Sequence, residues 1–90
     1  FADERYVQDR LDAGDAYFRG NSFRQAVRQY FACLEYAPRT MEPDATLGLG
    51  RSLLALGHEE EALPYLTRIE SDFPTHPTVY AARYWAAMAY

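Results

Sequence analysis

Ninety residues, 49% of them apolar and 16% aromatic, are enough for one small core and give no composition typical of disorder. A net charge of −4, with acids spread along the chain and all nine basic residues arginine, gives no basic footprint of the kind that grips nucleic-acid phosphates. The one cysteine, Cys33, excludes an internal disulfide, and the longest apolar stretch, Val79 to Tyr90, is interrupted by Arg83 and too short to span a bilayer.

The chain opens Phe1-Ala2-Asp3-Glu4-Arg5, which lacks the basic start and apolar run of a secretion signal. It also lacks an initiator Met, so a mature form or an excised piece is expected. Tyr6, Val7, Leu11, Gly14, Tyr17 and Phe18 then follow helical spacing. Gly20-Asn21 breaks that helix, since both residues tolerate the left-handed conformation that ends one. Ser22 with Gln25 three residues on reads as a capping box. Phe23, Ala26, Val27, Tyr30, Phe31 and Leu34 mark the apolar stripe of a second helix, closed by Pro38.

A third helix is expected from Pro43, which suits a first turn, through Leu47, Gly50, Leu53 and Leu54 to Gly57. Glu59, Glu60 and Glu61 open a fourth, where acids complement the positive end of the helix dipole. Ala62, Leu66 and Ile69 carry its stripe to Phe73 and Pro74, and Pro64 is expected to remove one backbone bond or bend the helix. A fifth helix starts near Pro77 and carries Val79, Tyr80, Tyr84, Trp85 and Met88.

The pattern repeats. At an offset of 36 residues Gly14 meets Gly50, Arg19 meets Ala55, Ala26 meets Ala62, Tyr30 meets Leu66, Cys33 meets Ile69 and Pro38 meets Pro74. Small residues fall on small, bulky on bulky and proline on proline. Ala13 to Phe18, the break at Gly20-Asn21, then Phe23, Ala26, Tyr30 and Pro38 resemble one tetratricopeptide repeat. Leu49-Gly50, Leu53, Gly57, Ala62, Leu66 and Pro74 resemble a second. Two departures stand out: the period exceeds the usual ~34 residues, with the extra length in the Arg39–Glu42 connection, and Cys33 and Ile69 replace the family's usual Ala. The run Asp72 to Pro77 followed by Ala82-Arg83-Tyr84-Trp85 is similar to tetratricopeptide proteins of the bacterial cell envelope, the outer-membrane assembly lipoprotein and Tol–Pal-associated types. Periplasm and cytoplasm both stay open.

The resemblance implies an all-α fold of five helices, a right-handed superhelical stack of antiparallel helix pairs (an α-solenoid). It divides into repeat one, about 5–38, repeat two, about 43–74, and the first helix of a third, about 77–90. It implies a non-catalytic scaffold that holds a peptide or protein segment in a concave groove and assembles a multiprotein complex. The positions expected to line that groove are Leu11, Asp15, Phe18, Arg19, Leu47, Arg51, Leu54, Tyr84 and Met88. The plainer alternative makes Phe18 and Leu54 core residues and pairs Asp15 with Arg19 four residues on. A carboxylate clamp of the chaperone-binding kind is disfavoured, because Leu11, Asp15 and Gly48 stand where Lys and Asn would be needed. A rival role is homodimer formation through an exposed stripe of the fifth helix, Val79, Tyr80 and Trp85.

Catalytic groupings are poor. His58 has Glu61 at helical spacing but no second His, His76 reads as a connector residue, and Cys33 lies on a buried stripe as an inert small core residue. No phosphate loop or Ser–His–Asp grouping is discernible. The expectation is a protein with no catalytic residues, no metal, no cofactor and no nucleic-acid partner.

Overall fold

The computed structural model describes residues 4–36, 39 and 41–89, and among these it contains five helices and no strand. They are α1 (Glu4–Arg19), α2 (Phe23–Tyr36), α3 (Glu42–Ala55), α4 (Glu59–Asp72) and α5 (Thr78–Ala89). Pro38, the expected end of the first unit, lies outside the described residues.

The two turns inside the helix pairs are built alike. The N–H of Ser22 donates to the Tyr17 carbonyl at 2.8 Å and that of Asn21 to Phe18 at 3.1 Å. The N–H of His58 donates to Leu53 and that of Gly57 to Leu54, both at 2.9 Å. Each set is the paired closure in which one residue turns left-handed and satisfies the helix's last carbonyls. That residue is Asn21, with φ 62°, in the first pair and Gly57, with φ 83°, in the second. They stand one repeat period apart, so the period extends to the backbone conformation of the turn. The helix α4 runs unbroken through Pro64. Pro64 and Glu60, whose carbonyl loses its usual donor, both lie on the exposed side of the helix, where water can replace the lost bond.

Consecutive helices run antiparallel across these short turns, which places α1, α3 and α5 in one layer and α2 and α4 in another. The helix α3 touches α1, α2, α4 and α5. The main core joins Val7 and Leu11 of α1, Ala26, Tyr30 and Cys33 of α2, Ala45, Leu49 and Leu53 of α3, and Ala62 and Leu66 of α4. A smaller cluster, Ile69 with Val79 and Ala82, seats α5 against α4 and against Leu47 of α3.

Close approach of the layers depends on glycine. A Cβ at Gly14 would lie 2.7 Å from the Tyr30 ring, and one at Gly50 would lie 2.6 Å from Leu66. The matched pairs Gly14–Tyr30 and Gly50–Leu66 therefore do the same task in successive repeats. Gly48 has no such counterpart: it accommodates the far side of the same Tyr30 ring, which a Cβ there would overlap. Overpacking of this kind costs about 1–3 kcal/mol, which outweighs or offsets the gain of about 1 kcal/mol in helix propensity. Gly48→Ala is therefore expected to lower the thermal unfolding midpoint, by several degrees where the overlap cost dominates. Gly20→Ala, whose Cβ would meet only backbone oxygens at 3.6 and 3.7 Å, serves as the control. Circular dichroism melts of the two variants check this, and a Gly48→Ala midpoint above that of Gly20→Ala would contradict the role given to the Tyr30 ring.

Candidate functional site

On the α1–α3–α5 layer, a polar pair is set in an aromatic surround. Asp15 on α1 and Arg51 on α3 occupy matched positions of successive repeats and carry opposite charges. Arg51 Nη2 donates to Asp15 Oδ1 and to the Tyr30 hydroxyl, each at 3.2 Å. The Tyr30 hydroxyl in turn donates to Asp15 Oδ1. The guanidinium of Arg51 also lies 4.2 Å from the centre of the Phe18 ring, a cation–π contact. Phe18 is met edge-on by Phe23 at 5.3 Å and by Trp85 at 6.5 Å. Side chains of α1 and α2 thus meet one guanidinium of α3 directly, and Trp85 of α5 stands behind Phe18.

The cluster is half open. Side-chain exposure is 26% for Arg51 and 37% for Asp15, so both charges keep contact with solvent while Tyr30 beneath them is fully buried. Burial pushes the Tyr30 hydroxyl up to about 12, and its bond to the Asp15 carboxylate adds to the shift, while Arg51 opposes it. Burial likewise raises the Cys33 thiol to about 11, with smaller contributions from Asp15 and Asp44. A thiol held neutral and fully buried has no thiolate to offer as a nucleophile.

The other expected groove positions divide. Arg19 is exposed, and Leu47 and Leu54 are partly buried against the core. Leu11 is 8% exposed and belongs to the core shared by α1, α2, α3 and α4, so it is corrected from surface to interior. Asp15 turns to Tyr30 of the other layer and to Arg51 of the neighbouring helix, and not to Arg19 along its own helix as the plainer alternative has it. Tyr84 and Met88 stand out from α5 at 60% and 62% exposure, on one helical stripe with Tyr80.

The expected self-association stripe is also corrected. Val79 is buried against Ile69, and Trp85 packs inward on Phe18 and the main core. Tyr80 alone of the three faces outward. Helical spacing places apolar residues on a stripe, but α4 and α3 cover one side of α5 only, and that side takes the valine and the tryptophan.

Neither histidine gathers a metal set: among the described residues no group of three or more His, Cys, Asp and Glu side chains comes together. His58 Nδ1 lies 3.8 Å from Glu61, both exposed. His76 does more than connect, since its Nδ1 accepts the Thr78 N–H at 3.2 Å and lies 2.9 Å from the Thr78 hydroxyl, which caps the start of α5. No helix among the described residues is long and apolar enough to cross a membrane.

Helix pairs of this build, with glycines at the crossings and a repeated turn, agree with comparison against known families. The model of one family, the tetratricopeptide repeat, matches residues 11–77. The chain belongs to that family. The match starts midway along α1, takes in α2, α3 and α4, and ends where α5 begins, so α5 is placed by structure and by the repeat offset alone. No match was found among curated proteins or among solved structures. Tetratricopeptide repeats mediate protein–protein interactions, and their modules are typically non-catalytic.

The role of Tyr30 escaped the sequence reading, which gave it to the core alone. The available signal was the pair of opposite charges at matched positions 15 and 51, which need something between them to join two helices. Tyr30→Phe removes the hydroxyl but leaves Asp15 with Arg51, at a cost of about 1–2 kcal/mol. A phenol whose folded pKa is raised contributes stability that is present below its unfolded value, near 10, and is lost as pH rises towards about 12. Urea unfolding should show the parent losing more stability than Tyr30→Phe between pH 9.5 and about 11.5. Parallel losses in the two would separate Tyr30 from the alkaline transition.

Proposed function

We propose that this tetratricopeptide module holds a peptide or protein segment along the α1–α3–α5 layer, and so assembles it into a larger complex. The observation that carries the reading is the half-open Asp15–Arg51 pair beside Phe18, which Trp85 meets edge-on, with the partly buried Leu54 three residues beyond Arg51 on α3. A polar pair on an aromatic and aliphatic floor gives a partner apolar area to cover and fixed polar groups to register against. Because Arg51 is already engaged by Asp15 and Tyr30, the charge available to a ligand is small, and apolar side chains of the partner supply most of the contact. Arg19, at the exposed end of α1, stands beside this surface as a cation for the rim.

The likeness of residues 72–77 and 82–85 to envelope tetratricopeptide proteins supports a narrower version, in which the assembly is one of the bacterial cell envelope. A second reading rests on α5. Its outward stripe, Tyr80, Tyr84 and Met88, is 60–75% exposed, and an apolar stripe of that kind is suited to contact with another chain.

Selection of binders from a displayed random-peptide library tests the first reading. Leu54→Glu places a charge on the apolar floor at a partly buried position and is expected to weaken the selected peptides by about ten-fold or more. Helicity and unfolding midpoint, measured on the same variant, separate lost binding from lost fold. Unchanged affinity in a folded Leu54→Glu variant sinks the layer as the binding surface. Loss on Tyr84→Asp in its place moves the site to the outward face of α5.

A further inference from the structure

The opposite layer carries an ordered set of charges that the binding reading leaves unused. The helices α2 and α4 lie side by side there and run parallel, because α3 between them is antiparallel to both. Arg28, Phe31 and Glu35 follow helical spacing along α2, and all three are exposed. Glu61, Tyr65 and Arg68 follow it along α4, with Tyr65 partly buried and the two charges exposed. The edge of Phe31 meets Tyr65 at 6.4 Å, which fixes the two helices at one height there. The rings border a cleft of about 400 Å³, walled also by Glu61, Pro64 and Arg68.

Read along the parallel helices, α2 is positive, aromatic, negative, and α4 is negative, aromatic, positive. Within the chain these charges are poorly used. Neither Arg28 nor Glu35 has an ion-pair partner among the described residues. Among the described residues Glu61 pairs only with His58, at 3.8 Å, and Arg68 only with Asp72, at 3.9 Å, all with exposed side chains, while the Arg68 guanidinium also lies 5.5 Å from the centre of the Tyr65 ring.

We propose that this face docks onto the same face of a second copy of the chain. A surface with this charge order is its own complement. A two-fold axis running along the helices lays α2 on the partner's α4 and keeps every residue at its own height. Arg28, three residues before Phe31, then stands within about 1.5 Å of the height of the partner's Glu61, four residues before Tyr65. Glu35 stands similarly opposite the partner's Arg68. Four ion pairs thus surround a centre made by both copies of Phe31 and Tyr65. A two-fold axis running across the helices instead lays α2 antiparallel on itself, with Arg28 opposite the partner's Glu35. It too matches every charge, with Glu61 opposite the partner's Arg68. Partners of general acidic or basic character fit less well, because each helix presents both signs. The contact is of the modest, charge-registered kind whose strength falls with added salt.

Sedimentation equilibrium across a concentration series tests the proposal on the whole chain. The parent is expected to dimerise, with an association that weakens as salt is raised. Arg28→Glu places like charges together under either axis and should raise the concentration for half-dimerisation by about ten-fold or more. Adding Glu61→Arg to Arg28→Glu restores the dimer if the axis runs along the helices; adding Glu35→Arg restores it if the axis runs across them. Restoration by either second charge supports the proposal and shows that the single variant had folded. A parent that stays monomeric at all concentrations overturns it, as does failure of both second charges to restore. A dimer indifferent to Arg28→Glu but lost on Tyr84→Asp overturns it in favour of α5.

Discussion

The ring of Tyr30 fixes how three helices meet. It is the largest fully buried side chain, and it lies between Gly14 of α1 and Gly48 of α3, where any Cβ would intrude. One side chain therefore sets the approach of α2 to its own partner and to the next repeat. The equivalent residue, Leu66, is smaller and needs only Gly50. One period beyond Gly48 stands Tyr84, a bulky residue where the first junction required none. The glycine at 48 belongs to the tyrosine at 30, and where the ring is absent the constraint disappears with it.

Tyr30 also links interior and surface. Its hydroxyl reaches the Asp15 carboxylate, and both are met by Arg51, so the polar pair is held from beneath by the core. This makes Arg51 a poorer free cation than its exposure suggests. A ligand carboxylate would have to compete with Asp15 for a guanidinium that is also stacked on Phe18. The absence of lysine in the chain had already argued against a carboxylate clamp; the geometry adds that the arginine standing in the layer is spoken for.

Much of the fold was legible because repetition makes each position its own check. The 36-residue offset aligned glycine with glycine and proline with proline, and the left-handed residues Asn21 and Gly57 turn out to stand at the same offset. The site was less legible, and the reason is general. Periodicity assigns a residue to a stripe, but the neighbours decide whether that stripe is covered. Leu11 was misplaced because the neighbouring helices of the main core cover it, and Val79 and Trp85 because α4 and α3 cover one side of α5 and leave Tyr80, Tyr84 and Met88 outside. The Asp15–Arg51 pair was hidden for a related reason, since a carboxylate with an arginine four residues on invites a pairing along its own helix.

The two layers treat charge differently, and helix spacing explains the difference. In the α1–α3–α5 layer neighbouring helices touch, so opposite charges at matched positions close on each other through a buried tyrosine. In the α2–α4 layer the helices meet only through side chains, and the charges that flank Phe31 and Tyr65 stay apart. Selection for a stable stack would be indifferent to the order of signs on such an open face, because exposed charges far from a partner contribute little. A regular order of signs on that face therefore asks for an explanation outside the chain, and a second molecule with the reversed order supplies one.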